Sequence, residues 1–130
     1  MTAFIDTNVI IRHLTGDPPE MAARATALLA AEDELLLTDL IVAECVYVLE
    51  SFYEVGRETV ADLMRSAITA SNMRTTDPEL LLRAITVYEQ TGIDFAEAYL
   101  VAQAEISGVG EIASFDRSID RVATVTRREP

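Results

Sequence analysis

Asp6, Glu44, Asp94, Glu97 and Asp116 are the residues of this chain whose type and placement can do chemistry. Each stands at the edge of an apolar segment or inside one. Asp6 closes Ala3-Phe4-Ile5 and opens Asp6-Thr7-Asn8, and Glu44 is the only charged residue between Leu40 and Leu49. Asp94 and Glu97 begin an apolar segment running to Ala102, and Asp116 follows Ile112-Ala113-Ser114-Phe115. A carboxylate in apolar surroundings is costly unless it is ion-paired, hydrogen-bonded or bound to a cation. If the fold gathers these acids, a hard divalent ion is the natural partner, because Mg²⁺ and Mn²⁺ favour carboxylate and water oxygens.

Every one of these acids also has a plainer role open to it. Asp6 can cap a helix that starts at Thr7 or Asn8, and Asp116 can be an ordinary turn acid before Arg117. Glu44 shares a helix face with Leu40, Ile41 and Val48 and can pair with an arginine from elsewhere in the fold. Asp94-x-x-Glu97 has capping-box spacing, the pattern also read at Asp17 and Glu20, yet that spacing sets both carboxylates on one face where they can share a cation. The order in which the motifs occur is more specific than any one of them: strand then Asp, helix with Glu, helix-start Asp-x-x-Glu, strand then Asp.

The elements that must position these acids alternate between strand and helix. Strands are predicted over 3–5, 35–37, 72–76, 111–115 and 122–126. Helices are predicted over 7–14, then from a cap at Asp17 to about Glu32, from a cap at Thr38 or Asp39 through Glu44, and over 58–71. A fifth opens at Asp77-Pro78 and closes near Gly92, and a sixth covers 95–106, almost wholly apolar and so expected to be buried on most sides. Short apolar strands separated by helices predict an α/β fold, an α/β/α sandwich around a mostly parallel central sheet. In such sheets ligands bind beyond the carboxyl ends of the strands, so Asp6 and Asp116 can share one crevice.

Composition narrows the function classes. The 130 residues are read as a single domain, 1–130, long enough to bury a sizeable core. The longest apolar run is interrupted at Glu44 and falls short of the ~20 residues that span a bilayer, and the N-terminus lacks the basic start of a signal peptide. A cytoplasmic protein with no membrane association is expected. Cys45 and His13, the only residues of their types, cannot build a tetrahedral zinc site, and the lone His13 with no Gly-x-Ser-x-Gly elbow argues against a Ser-His-Asp hydrolase; Cys45 is expected in the core and His13 on a helix face. No Gly-x-Gly-x-x-Gly and no Gly-x-x-x-x-Gly-Lys occurs, which argues against dinucleotide and nucleoside triphosphate sites. A net charge of −12 argues against binding polyanions with the chain's own surface unless metal, local arginines or a basic partner offsets it.

Phe4-Ile5-Asp6-Thr7-Asn8, Glu44, Asp94-Phe95-Ala96-Glu97-Ala98 and Ser114-Phe115-Asp116-Arg117 together resemble the PIN-domain ribonucleases. Length and layout, with Gly16-Asp17-Pro18 after the first helix, are most similar to VapC-type toxins of toxin–antitoxin modules. The resemblance implies a metal pocket formed by Asp6, Glu44, Asp94 and Asp116. The further acid three residues after Asp94 is usually Asp in that family and is Glu97 here, which suits binding through water or tuning of the pocket. It implies a metal-dependent endoribonuclease in which Asp6, Asp94 and Asp116 are direct ligands of Mg²⁺ or Mn²⁺, Glu44 binds the metal through water or orients the attacking water, and Glu97 supports the metal. It also implies a homodimer inhibited by a cognate antitoxin, with RNA as substrate. Arg12, Arg117 and Arg121 are candidates for phosphate contacts or plain surface arginines, and the helices from Leu40 to Ser71 offer an antitoxin groove or ordinary core. The alternatives are a non-catalytic interaction module on the same fold and a DNA-directed nuclease.

Overall fold

The computed structural model of the protein describes residues 1–31 and 33–130, in two compact units, Met1–Thr76 and Asp77–Pro130. The first contains β1 (Thr2–Phe4), α1 (Thr7–Thr15), α2 (Pro19–Ala30), β2 (Glu34–Leu36), α3 (Asp39–Ser51), α4 (Arg57–Thr69) and β3 (Met73–Arg74). The strands form a parallel sheet in the order β1-β2-β3, with Ala3 opposite Leu35 and Leu35 opposite Met73. Parallel neighbours need long crossovers, and the helix pairs α1–α2 and α3–α4 supply them. Ile5, Leu35 and Leu37 are buried, as are Val42, Cys45 and Leu49 on α3 and Val60, Met64 and Ile68 on α4. A fully buried aliphatic side chain such as Leu35 or Leu49 contributes about 1.5–3 kcal/mol.

The second unit contains α5 (Pro78–Thr91), α6 (Phe95–Ser107), β4 (Glu111–Ala113), a 3-10 helix (Arg117–Arg121) and β5 (Thr126–Arg128). The two strands are again parallel, Ile112 opposite Arg127. α5 buries Leu81, Ala84, Ile85 and Tyr88, and α6 buries Phe95, Ala98, Val101 and Ala102. Tyr88 and Phe95 meet edge-on with ring centroids 6.1 Å apart. The α/β class with parallel pairing is as the sequence predicts. Among the described residues no helix is long and apolar enough to cross a membrane.

Several local expectations are corrected. Pro18, not Asp17, is the residue before α2, and no side chain caps that helix. With Pro18 extended and Pro19 opening the helix, the Asp17 carboxylate instead accepts a hydrogen bond from the Tyr53 hydroxyl at 3.2 Å. The predicted end of α2 at Glu32 lies outside the described residues. The last strand starts at Thr126 rather than Val122, because Val122 closes the 3-10 turn with its N–H on the Ile119 carbonyl. The face of α6 that carries Ala96, Leu100 and Gln103 is exposed, so the helix is less enclosed than its composition suggests.

One ion pair fastens α5 to α6. Arg83 donates from Nε to Glu105 Oε1 at 2.7 Å and from Nη2 to Oε2 at 2.8 Å, and the Thr124 hydroxyl also donates to Oε2. The Glu105 side chain is only 16% exposed. The Arg83 fork holds its carboxyl below the usual range, against the opposing push of burial. A depressed folded pKa means stability that is full above the unfolded glutamate's value and is lost as pH falls through the folded one. Glu105→Gln is expected to lower unfolding free energy at neutral pH by about 1–2 kcal/mol, the range for a bidentate pair discounted for the solvent that reaches Arg83. In urea titrations the deficit shrinks as the samples are acidified; a deficit independent of pH would remove the ion pair as its cause.

Candidate metal centre

In the first unit, Asp6 is the first residue beyond the sheet. The Ile5 N–H still bonds the Leu36 carbonyl at 3.0 Å, and the chain then turns into α1. Asp6 is exposed, and its Oδ1 accepts the Thr7 N–H at 2.8 Å, so it does cap α1. Capping occupies one oxygen and leaves the carboxylate its second.

Glu44 is exposed too, not enclosed by the apolar residues around it in sequence. α3 turns Val42, Cys45 and Leu49 inward and leaves Leu40, Glu44 and Tyr47 facing out. The partner of Glu44 is Thr7 rather than an arginine: the Thr7 hydroxyl donates to Glu44 Oε2 at 2.5 Å. Because Thr7 adjoins Asp6, this bond ties the start of α1 to the middle of α3 and brings two of the predicted acids to one place. Cys45 lies buried beside them; burial first, then the charges of Glu44 and Asp6, push its thiol up to about 12. That thiol is a core group, as expected. Asp6, Thr7, Asn8 and Arg12 line a groove of about 450 Å³ with Phe52 and Tyr53.

In the second unit, Asp94 precedes α6 with extended backbone, in the N-cap position, but its side chain makes no capping hydrogen bond. Glu97 sits one turn on, and its Oε2 is buried with no hydrogen-bond partner among the described residues. The spacing that fits a capping box is therefore not used as one. Thr38 and Asp77, by contrast, do cap α3 and α5, accepting from Ile41 at 3.2 Å and Leu80 at 3.1 Å.

Asp116 lies two residues past the end of the β4–β5 ladder, which runs on to the Ser114 N–H on the Arg128 carbonyl at 3.1 Å. Its Oδ1 accepts the Ser118 N–H at 2.9 Å, so it opens the 3-10 helix. The hydroxyl and N–H of Ser118, with Arg121 and Arg127 nearby, hold its carboxyl below the usual carboxylate range despite a small opposing push from desolvation. It stays ionised well into acid. Within neither unit do three or more described His, Cys, Asp or Glu side chains gather at metal-binding spacing. Asp6 and Glu44 are brought together in the first unit, and Asp94 and Glu97 share one helix start in the second.

Two features here escape a reading of the sequence. The Thr7–Glu44 bond joins residues far apart in the chain, and only a Thr directly after an Asp hints at it. The Phe52–Tyr53 pair beside Asp6 is two aromatic residues at a helix end, a signal too common to stand out. His13 pairs its Nδ1 with the Thr26 hydroxyl at 2.8 Å, joining α1 to α2 and giving it the structural place expected.

The structure places Asp6 and Asp116 just past strand ends, Glu44 on α3 and Asp94 and Glu97 at the start of α6 with no capping bond. No curated protein matches the chain. The family model for the PIN domain matches residues 3–125, running through both compact units. PIN domains are generally nucleases and typically use divalent metals. On that match, and on its helices and parallel strands, the chain belongs to the PIN-domain family.

Proposed function

We propose that the protein is a metal-dependent endoribonuclease, acting as the toxin of a toxin–antitoxin pair, with residues 1–130 as one catalytic domain. The observation that carries this reading is Glu97 Oε2, a buried carboxylate oxygen without a partner, one turn after an Asp94 that leaves its own helix uncapped. Buried carboxylate oxygens are ordinarily satisfied, and an unsatisfied one costs about 1–3 kcal/mol or more. A divalent cation or its water would give such an oxygen its partner. The donor set of Asp6, Glu44, Asp94, Glu97 and Asp116 is all oxygen and fits Mg²⁺ or Mn²⁺ rather than a soft metal.

In this reading Asp6, Asp94 and Asp116 hold the cation and Glu97 supports it. When bound, Mg²⁺ or Mn²⁺ lowers the pKa of water and offsets charge on the phosphodiester. The chain's own groups do the rest. Thr7 fixes Glu44 through Oε2, leaving Oε1 to take a hydrogen bond from the attacking water and orient it. Water oxygen bonds to phosphorus in line with the departing 3′ oxygen. The phosphorus–oxygen bond breaks, the attacking water gives up a proton to solvent, the leaving oxygen takes one from solvent, and the products carry a 5′-phosphate and a 3′-hydroxyl.

The charge of −12 then has a use. Weak general affinity for nucleic acid favours selection by shape at few sites, and a basic antitoxin segment complements the acidic surface. A homodimer belongs to the same reading. Purified protein is expected to cut single-stranded RNA with Mg²⁺ or Mn²⁺ and to stop when EDTA is added. Cutting of DNA but not RNA would replace the substrate class. Metal binding with no cleavage of either would leave an interaction module.

A further inference from the structure

We infer that Phe52 and Tyr53 form a stacking shelf for one base of a single-stranded RNA substrate, with Arg12 as the phosphate contact beside it. This rests on the nuclease reading of Asp6, since the shelf and Asp6 line the same groove. Phe52 is 75% exposed although it sits on an ordered helix end, its N–H bonded to the Val48 carbonyl at 3.0 Å. Its ring meets Tyr53 edge-on, with centroids 4.9 Å apart and planes at 69°. Tyr53 is held in turn by its hydroxyl on Asp17 at 3.2 Å. An exposed ring fixed in place loses little freedom when a base stacks on it, and every base has a face to offer.

The charges next to the shelf point to the same occupant. Arg65 is paired with Asp62 and Arg74 with Glu34, while Arg12 and Arg24 have no carboxylate partner among the described residues. Arg12 lines both the groove beside Asp6 and a second groove, between α1 and α2, that Arg24 also lines. Two unneutralised guanidiniums running away from an aromatic shelf, in a chain of net charge −12, suit a phosphate-linked strand with one base turned onto the ring. An apolar peptide would use the rings but not the arginines.

The test uses full-length Asp6→Asn protein with Mg²⁺, so that bound RNA stays intact, and fluorescence anisotropy on labelled single-stranded oligonucleotides. Phe52→Ala is expected to weaken binding roughly tenfold, and Phe52→Trp to restore it. Arg12→Gln should weaken binding and lower its salt dependence, whereas Phe52→Ala leaves the salt slope unchanged. The same sequence in DNA should show the same loss on Phe52→Ala, because stacking does not read the 2′-hydroxyl. Unfolding midpoints of the Phe52 variants should match the parent, since the ring is exposed. If oligonucleotide binding is unchanged in Phe52→Ala, the shelf is overturned and a protein partner takes its place, while metal-dependent cleavage by the wild type keeps the nuclease reading. Absence of both cleavage and binding in the wild type overturns the two together.

Discussion

Asp6→Asn is expected to lower metal-dependent RNA cleavage about 10³-fold, the scale of losing one preorganised electrostatic group, because the variant would hold the activating cation less well. It is expected to leave the thermal midpoint nearly unchanged. The two halves of that expectation come from one carboxylate with an observed task and a proposed one. As a cap, Asp6 needs only an oxygen to accept the Thr7 N–H at 2.8 Å, and Asn caps a helix as well as Asp does. As a cation ligand it needs charge on the remaining oxygen, and an amide has none. The substitution therefore separates the structural role from the chemical one at a single atom. Cleavage kinetics beside a melting curve make the measurement. A variant that cuts RNA within tenfold of the wild-type rate removes Asp6 from the site and leaves it as a cap.

Glu97→Gln should show the opposite signature, a gain in stability in EDTA coupled to loss of the stabilisation that Mg²⁺ gives the wild type. The buried Oε2 has nothing to bond to. Gln has the same shape and no charge to desolvate but leaves one amide atom still unpaired there, so the expected gain is small, under about 1 kcal/mol. A ligand that binds only the folded protein stabilises it in proportion to the logarithm of its concentration over its Kd, so a weakened site shows as a smaller rise in midpoint on metal titration. Stability given up at a functional site is a common arrangement. Thermal unfolding of wild type and variant, each in EDTA and in a Mg²⁺ series, reads both effects without reference to activity. Equal midpoints in EDTA and an equal rise with Mg²⁺ would mean that Glu97 neither strains the fold nor serves a cation.

Most helix boundaries were legible because short-range chemistry sets them. Gly16 and Gly92 stop α1 and α5 at left-handed backbone, with φ of 71° and 73°, a conformation that a side chain would resist. Thr38, expected as the cap of α3 alongside Asp39, and Asp77, expected to open α5, both cap, because their side-chain oxygens reach the N–H three residues on. The same logic misled at Asp17, where tandem prolines displaced the cap and Tyr53 claimed the carboxylate. At Asp94 it left two readings open, because spacing cannot tell a capping pair from one that makes no cap, and the structure shows no capping bond there. The final strand moved because Val122 is apolar in either conformation, and pairing with Glu111–Ala113 selected Thr126–Arg128 instead.

By itself the sequence determined which acids exist, that Asp94 and Glu97 share one face, that Asp6 and Asp116 follow strands, and that the chain alternates helix with parallel strand. These are properties of spacing within a few residues, where backbone geometry leaves little choice. Tertiary structure decided what each carboxylate is bonded to. It joined Thr7 to Glu44 across the first unit, turned Glu44 outward on a helix whose neighbours pack inward, and left Glu97 Oε2 buried without a partner among the described residues. Those outcomes depend on which surfaces meet, and contacts between residues far apart in the chain carry no local signature.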